Sequence, residues 1–113
     1  MDIEIVRKIC LKKGETEKCF PFGDDTLVFK VNNKMFCLAR LIPPHSINLK
    51  CLPENAIEYR ERYESVTPGY HMNKKYWITV QLDGNVPSKE IEKWINDSYN
   101  LVAAGTRKKT GKK

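Results

Sequence analysis

The chain is predicted to form one α+β domain, a two-layer sandwich in which helices cover one face of a mainly antiparallel sheet. Apolar residues recur at helical spacing near both ends of the chain and in its middle, and at a period of two between these segments. A length of 113 residues is enough to bury one hydrophobic core. The predicted order is α-β-β-β-β-α-β-α, with about five strands.

A first helix is predicted over residues 2–12. Ile3, Val6 and Cys10 recur at the spacing of one helix face. Asp2 near the start suits the positive end of the helix dipole, and Gly14 provides a stop signal. This helix is therefore expected to place one apolar face against the sheet.

Four strands are predicted after Gly14, because the period changes to two and β-branched and aromatic residues become frequent. Gly23-Asp24 and Asn32-Asn33 have the composition of tight turns, so the Asp24-Asp25 pair is interpreted as turn-forming and not catalytic. Pro43-Pro44 interrupts the next connection, since proline cannot donate a ladder hydrogen bond. The strands are placed at about residues 17–22, 25–31, 34–42 and 46–51.

A second helix, a further strand and a third helix complete the prediction. Pro53 begins the second helix, which extends to about Tyr63, because a first-turn proline loses no helical hydrogen bond. Residues 76–82 alternate as a strand. Residues 88–104 carry apolar side chains at helical spacing after Ser88, which is a suitable N-cap.

The positive charge is concentrated at the C-terminus. The chain has 20 basic and 14 acidic residues, a net charge of +6. The last seven positions hold five of the basic residues and no acid, so residues 1–106 are nearly neutral. Residues 1–106 are therefore assigned to the domain and residues 107–113 to a flexible basic tail, with a functional basic arm as the alternative.

The cysteine pattern indicates reduced, packed side chains in a cytoplasmic protein. No apolar stretch resembles a signal peptide or a membrane span, and a free cysteine packs like a small hydrophobic residue. No Cys-x-x-Cys pair occurs and neither histidine has metal-type spacing to a cysteine, so no metal or cofactor is expected. The four cysteines are Cys10, Cys19, Cys37 and Cys51.

The sequence also contains no common catalytic motif. A phosphate-binding loop, a nucleophile elbow, a zinc-protease motif and a dinucleotide fingerprint are all missing from the sequence. An enzymatic function is therefore not expected.

The most unusual segment is residues 68–77, which read Pro-Gly-Tyr-His-Met-Asn-Lys-Lys-Tyr-Trp. Its lysines could contact phosphates and its aromatic rings could stack on bases. If helices cover one sheet face, alternation leaves Trp77 uncovered on the opposite face, together with Lys30 and Lys50. The predicted nucleic-acid contacts are Lys30, Lys50, Tyr70, His71, Asn73, Lys74, Lys75, Tyr76 and Trp77.

Two structural interpretations stand beside this one. Trp77 and the tyrosines could complete a small core, with Lys74-Lys75 in a solvated turn. His71 beside Asn73 is more often a hydrogen-bonded loop anchor than a catalytic base, with a phosphate contact as its second role.

The segment closely resembles the P-G-Y-H-M-N-K-K-H-W signature of the MmcQ/YjbR family, which consists of small bacterial proteins. The resemblance spans residues 3–104. It includes three further groups of residues: Phe22-Gly23-Asp24-Asp25 with Phe29-Lys30, Leu49-Lys50-Cys51, and Asp83-Gly84 with Val86-Pro87.

This resemblance implies a two-layer fold like that of frataxin-type and secretion-chaperone-like domains. It also implies DNA binding through paired wing-like elements, a double wing. The chain departs from the family at Tyr76, where histidine is usual, which weakens any proton-transfer role there. It departs again at Leu52, where aspartate commonly precedes the helix proline, and the lost cap costs about 1 kcal/mol.

DNA is thus the leading expected partner of a non-enzymatic bacterial protein. The alternative from another class is a protein-interaction module or a homodimer that uses the open sheet face or an edge strand. A small-molecule or metal-binding function in the frataxin style ranks lower, because the first helix has only Asp2 and Glu4 as acids.

Overall fold

The computed structural model describes residues 1–69 and 72–111, with side chains described as far as residue 105. This part of the chain contains three helices, namely α1 (Ile3–Leu11), α2 (Pro53–Arg62) and α3 (Ser88–Gly111). It contains six strands, namely β1 (Thr16–Cys19), β2 (Thr26–Val31), β3 (Lys34–Arg40), β4 (Ser46–Lys50), β5 (Val66–Pro68) and β6 (Trp77–Gln81).

The strands form one antiparallel sheet in the order β1-β2-β3-β4-β6-β5. The first four strands pair with their neighbours in sequence, and β6 joins β4 after the chain has passed through α2. The sheet is open, with β1 and β5 at its edges. This arrangement confirms the predicted α+β class with an antiparallel sheet.

The three helices bury their apolar sides against one face of the sheet. Val6 and Cys10 of α1 are fully buried. Ile91 and Ile95 of α3 are fully or almost fully buried. They meet the inward-facing residues of the strands, of which Phe29, Phe36, Ile47, Leu49, Ile78 and Val80 are fully or almost fully buried. Burial of each such side chain contributes roughly 1.5–3 kcal/mol, so this cluster supplies most of the stabilisation.

Local signals explain where several elements begin. The Asp2 side chain accepts a hydrogen bond of 2.9 Å from the backbone N–H of Ile5 and so caps α1. Leu52 makes no side-chain cap for α2, as predicted, and Pro53 occupies the first turn instead. Asn32 and Asn33 both have positive φ, 51° and 68°, which is the backbone that a two-residue hairpin turn requires.

The sheet has one strand more than the approximately five that were predicted. Val66–Pro68 forms a short edge strand whose residues pair with those of β6, Val66 with Val80 and Pro68 with Ile78. Three residues are too few to show alternation, and the proline argued for a loop. The first strand is also shorter than predicted, since it ends at Cys19 and not at residue 22.

The predicted boundary after residue 106 does not coincide with the end of a structural element. The backbone of α3 stays helical through Gly111, so residues 107–111 continue the third helix. No proline interrupts this stretch, and basic residues suit the C-terminal end of a helix dipole. The last two residues of the predicted tail lie outside the described part of the chain.

Ser98 of α3 bridges an interruption in the sheet. The register between β2 and β3 shifts after Phe29, which leaves Phe36 as an extra residue without a partner in β2. The fully buried Ser98 hydroxyl accepts a hydrogen bond of 2.9 Å from the N–H of Lys50 and donates one of 2.6 Å to the carbonyl of Phe36. It thereby satisfies two backbone groups beyond the last β3-β4 pair, Cys37 with Leu49.

We expect Ser98→Ala to lower the free energy of unfolding by about 1–3 kcal/mol, because it leaves two backbone groups without their partner. Urea denaturation measures this loss. Glu92→Ala, on the exposed side of the same helix, is the control and should stay within about 0.5 kcal/mol of wild type. Equal stabilities for the two variants would contradict the bridging role.

Candidate nucleic-acid interface

The helices leave one face of the sheet, the outer face, without a covering layer of secondary structure. Alternation and strand register decide which side chains belong to it. From β2 to β6 these include Val28, Lys30, Met35, Leu38, Asn48, Lys50, Trp77 and Thr79. Two kinds of residue therefore share this face, an apolar group and a group of lysines and amides.

The apolar side chains at the centre of the outer face pack against one another and are buried. Val28, Leu38 and Trp77 are 0%, 6% and 9% exposed, and they form a second buried cluster separate from the main core. Cys19, Met35 and Met72 pack against this cluster. The prediction that Trp77 is uncovered is therefore wrong.

The chain before β6 explains the burial of Trp77. Gly69 donates its N–H to the carbonyl of Trp77 at 2.9 Å, and Met72 then packs onto the apolar cluster. A Cβ atom on Gly69 would lie 2.6 Å from the Cβ of Trp77, so only glycine fits this approach. Gly69 and Met72 thus both lie against the cluster that contains Trp77.

Trp77→Ala should lower the free energy of unfolding by about 3–5 kcal/mol, because it removes the largest side chain of a buried cluster. Tyr76→Ala is the matched control, since the neighbouring ring is 41% exposed and should cost no more than about 0.5 kcal/mol. Chemical denaturation followed by circular dichroism compares the two. If the variants lose similar stability, the burial described for Trp77 is incorrect.

The turn from Asn73 to Tyr76 is exposed, yet its backbone is held at several points. The Asn73 side chain accepts a hydrogen bond of 2.9 Å from the N–H of Lys75, and its carbonyl accepts one of 3.2 Å from Tyr76. The carbonyl of Tyr76 in turn accepts a hydrogen bond of 2.8 Å from Cys51 at the end of β4. Asn73 therefore acts as a turn-forming residue that presents Lys74 and Lys75 to solvent.

Five lysines lie along one end of the sheet, on β2, β3, β4 and the turn before β6, and we call this region the lysine end. Lys30 and Lys50 lie on the strands to either side of β3, which puts their backbones about 10 Å apart across the outer face. Lys50 is paired with Trp77, which directly follows the turn. The members of the lysine end are Lys30, Lys34, Lys50, Lys74 and Lys75.

Positive charges outnumber negative ones at the lysine end. Glu17 is the acid opposite Lys30 in the β1-β2 register. The ion pairs found among the described side chains join residues of the helices and involve none of these five lysines. Exposed Asp24, Asp25 and Asp83 lie at the other end of the strands.

The structure brings together most, but not all, of the predicted contact residues. Lys30, Lys50, Lys74, Lys75 and Tyr76 lie around the lysine end, and Asn73 supports the turn. Trp77 is buried below them. Tyr70 and His71 lie outside the described residues. Lys34 was missed because alternation assigns it to the other face, although the Asn32-Asn33 turn beside it was a usable signal.

The cysteines of the described chain are packed in the domain and form no disulfide. Cys10, Cys37 and Cys51 are buried free thiols and Cys19 is partly buried, which confirms that they are packed and unpaired. A hydrogen bond that the Cys37 thiol donates to Cys10, together with burial, raises the pKa of Cys37. Among the side chains described, no group of three or more histidines, cysteines or acids could hold a metal ion.

The described helices differ from membrane-spanning helices. None of those in residues 1–69 and 72–111 combines the length and apolar character needed to cross a bilayer.

The protein is a small α+β domain. It has an open six-stranded sheet, three helices on one face of that sheet and a lysine-bearing turn beside β6. The crystal structure of Deinococcus radiodurans protein DR2400, a DUF419 domain, superposes with a TM-score of 0.85 at 39% identity, over 88% of this chain and 77% of that one. A crystal structure from Pseudomonas syringae gives a TM-score of 0.81 at 32% identity, over 90% of this chain and 99% of that one.

The chain belongs to the YjbR family, whose model matches residues 11–101. It is 38% identical to YbdF of Escherichia coli O157:H7, over 97% of this chain and 91% of YbdF. It is 29% identical to YjbR of Escherichia coli K12, over 96% of each chain. These matches confirm the resemblance based on residues 68–77.

Proposed function

We propose that this protein is a non-enzymatic, cytoplasmic bacterial protein that binds DNA through the lysine end. The observation that carries the proposal is the arrangement of Lys30 and Lys50 across β3, beside Lys74 and Lys75 on an anchored turn. Lysines held by an ordered backbone reach phosphates with a smaller entropic cost than lysines on a free segment.

The burial of Trp77 favours binding to duplex DNA over binding to a single strand. One described aromatic ring at the lysine end, that of Tyr76, is substantially exposed. Stacking on several unpaired bases needs more than one such ring. Contacts to the phosphates of a duplex, with little dependence on base sequence, therefore suit this surface better than readout of a single strand.

The backbone of α3 runs toward the same end of the domain as the lysine end. The helix starts after the Gln81 end of β6 and reaches the Lys50 end of β4 at Ser98. Its backbone then continues for about 20 Å to Gly111. The basic residues 107–109 follow in this last part of the helix.

We expect the double variant Lys74→Ala and Lys75→Ala to weaken binding to a labelled DNA duplex, measured by fluorescence anisotropy at low and high salt. The slope of log affinity against log salt should fall by about 2, one for each lost phosphate contact. Lys8→Ala with Lys89→Ala is the control, because it removes equal charge from exposed positions on two helices.

Three outcomes of this titration would count against the lysine end. Equal weakening by both double variants would mean that only net charge matters. Loss of binding solely on truncation after Thr106 would assign it to the basic segment alone. Failure of the intact chain to bind duplex at low salt would refute the proposal.

A second candidate, self-association, is favoured by an apolar patch at the other end of the strands. Phe20, Phe22 and Ile42 are 49%, 63% and 41% exposed. The loops that carry them are joined where Leu41 donates its N–H to the Asp25 carbonyl at 2.8 Å. Large exposed apolar side chains that lie close together are typical of association surfaces.

If this patch joins two copies, light scattering should show a mass that rises toward the dimer with concentration. Phe22→Ser should shift that rise to higher concentration, because it removes the most exposed ring. Ile57→Ser, at a 50% exposed position on α2, is the control and should leave the mass curve unchanged. A monomer at every concentration would exclude the second candidate.

A further inference from the structure

A cavity of about 370 Å³ lies on the helix side of the sheet, between α2, α3 and the ends of β4 and β6. Its depth is apolar, because Leu49 and Ile78 of the sheet are fully buried and Tyr59 is 7% exposed. Leu52 and Ala104, which also line it, are exposed, so the cavity is open to solvent. An apolar cavity of roughly 150 Å³ binds benzene, so this one has room for an aromatic side chain.

Positive charge borders the cavity on the side of the lysine end. Lys50 belongs to the lysine end and also lines the cavity. Burial raises the pKa of the Cys51 thiol in the wall to about 11, and the charge of the nearby Arg60 guanidinium limits this rise. Arg60 donates a hydrogen bond of 3.5 Å to the carbonyl of Lys74, so the lysine-bearing turn lies next to it. Two cations, Lys50 and Arg60, therefore lie at this side of the cavity.

The acids near the same walls have basic neighbours. The Asp97 carboxylate in the wall lies 3.6 Å from the Lys93 ammonium. Glu58 on α2 lies 3.7 Å from the Arg62 guanidinium. Because each of these pairs is neutral as a unit, the two cations beside the lysine end are not cancelled by them. The cavity thus suits an apolar group that is joined to negative charge.

The acidic end of the strands carries a group of this chemistry. The turn over residues 20–23 is closed by a hydrogen bond of 3.4 Å from its last N–H to its first carbonyl. Pro21 fixes φ at the second position of the turn, and the ring of Phe22 at the third position is 63% exposed. Asp24 and Asp25 follow and are exposed. An aromatic ring on a stiff turn is therefore followed closely by two carboxylates.

We infer that Phe22 of one copy of this chain inserts into the cavity of a second copy. The ring fills the apolar depth, and the carboxylates of Asp24 and Asp25 face the cations of Lys50 and Arg60. Contact of the exposed patch with the same patch of another copy would instead bring four carboxylates together, which opposes association. The inference rests on self-association, the second candidate function, and names the surface that the patch meets.

Fluorescence anisotropy of a labelled Ala104→Trp chain tests this contact, because the variant keeps Phe22 but has its own cavity blocked at the opening. Unlabelled Phe22→Ser chain, which keeps the cavity, is the titrant. It should bind the labelled chain about tenfold more tightly than the double variant Phe22→Ser with Ala104→Trp, since a buried aromatic anchor carries much of the binding energy of an interface. Both positions are exposed, and circular dichroism checks that the variants fold.

Charge reversal tests the orientation of the two copies. Asp24→Lys with Asp25→Lys in the labelled chain should weaken binding about tenfold, because like charges then meet at the rim of the cavity. Lys50→Glu in the titrant should recover part of this loss. Lys89→Glu, at an exposed position in the first turn of α3, is the matched control and should recover none of it.

Several results would overturn the inference. An Ala104→Trp chain that self-associates like the wild type would do so and would leave the second candidate function in place, because the patch would then meet a surface other than the cavity. Equal affinities for the single and double variants would also overturn it, as would equal recovery by Lys50→Glu and Lys89→Glu. These measurements contain no DNA, so a failure of DNA binding in the salt titration leaves their outcome unchanged.

Discussion

The hydroxyl of Ser98 connects the two layers at the point where the sheet departs from regular pairing. Because β3 carries the extra residue Phe36, both Phe36 and Cys37 face the core, and a ladder partner is lost next to them. A hydroxyl can accept one hydrogen bond and donate another, which is what the Lys50 N–H and the Phe36 carbonyl require. Its position on α3 couples the orientation of that helix to the path of β4.

The lysine end and a cavity between α2, α3 and the ends of β4 and β6 both begin at the strand end that Ser98 holds. Lys50 extends the outer face, and the next residue, Cys51, belongs to the core and to the cavity wall. The Cys51 N–H also binds the carbonyl of Tyr76, so the lysine-bearing turn is attached to this same end of β4. A short stretch of backbone therefore positions a charged surface on one side and an apolar cavity on the other.

Features with local causes could be predicted from the sequence. Helical spacing located α1 and α2, alternation located β6, and Asn32-Asn33 located the hairpin, because each signal lies within a few residues. Exposure of Lys74 and Lys75 was predictable for the same reason. Strand β5 and the burial of Trp77 depend on contacts with chain that lies elsewhere in the fold. The cavity likewise joins residues of two helices and two strands, so no single segment indicates it.

The separation of charge along the strands has a consequence for how the domain approaches other molecules. Lysines collect at one end, whereas Asp24, Asp25 and Asp83 lie at the opposite end. Such a distribution gives the nearly neutral domain a permanent electric dipole along the strand direction. The field of a polyanion exerts a torque on this dipole that turns its positive end forward, so alignment precedes contact and fewer encounters occur in wrong orientations.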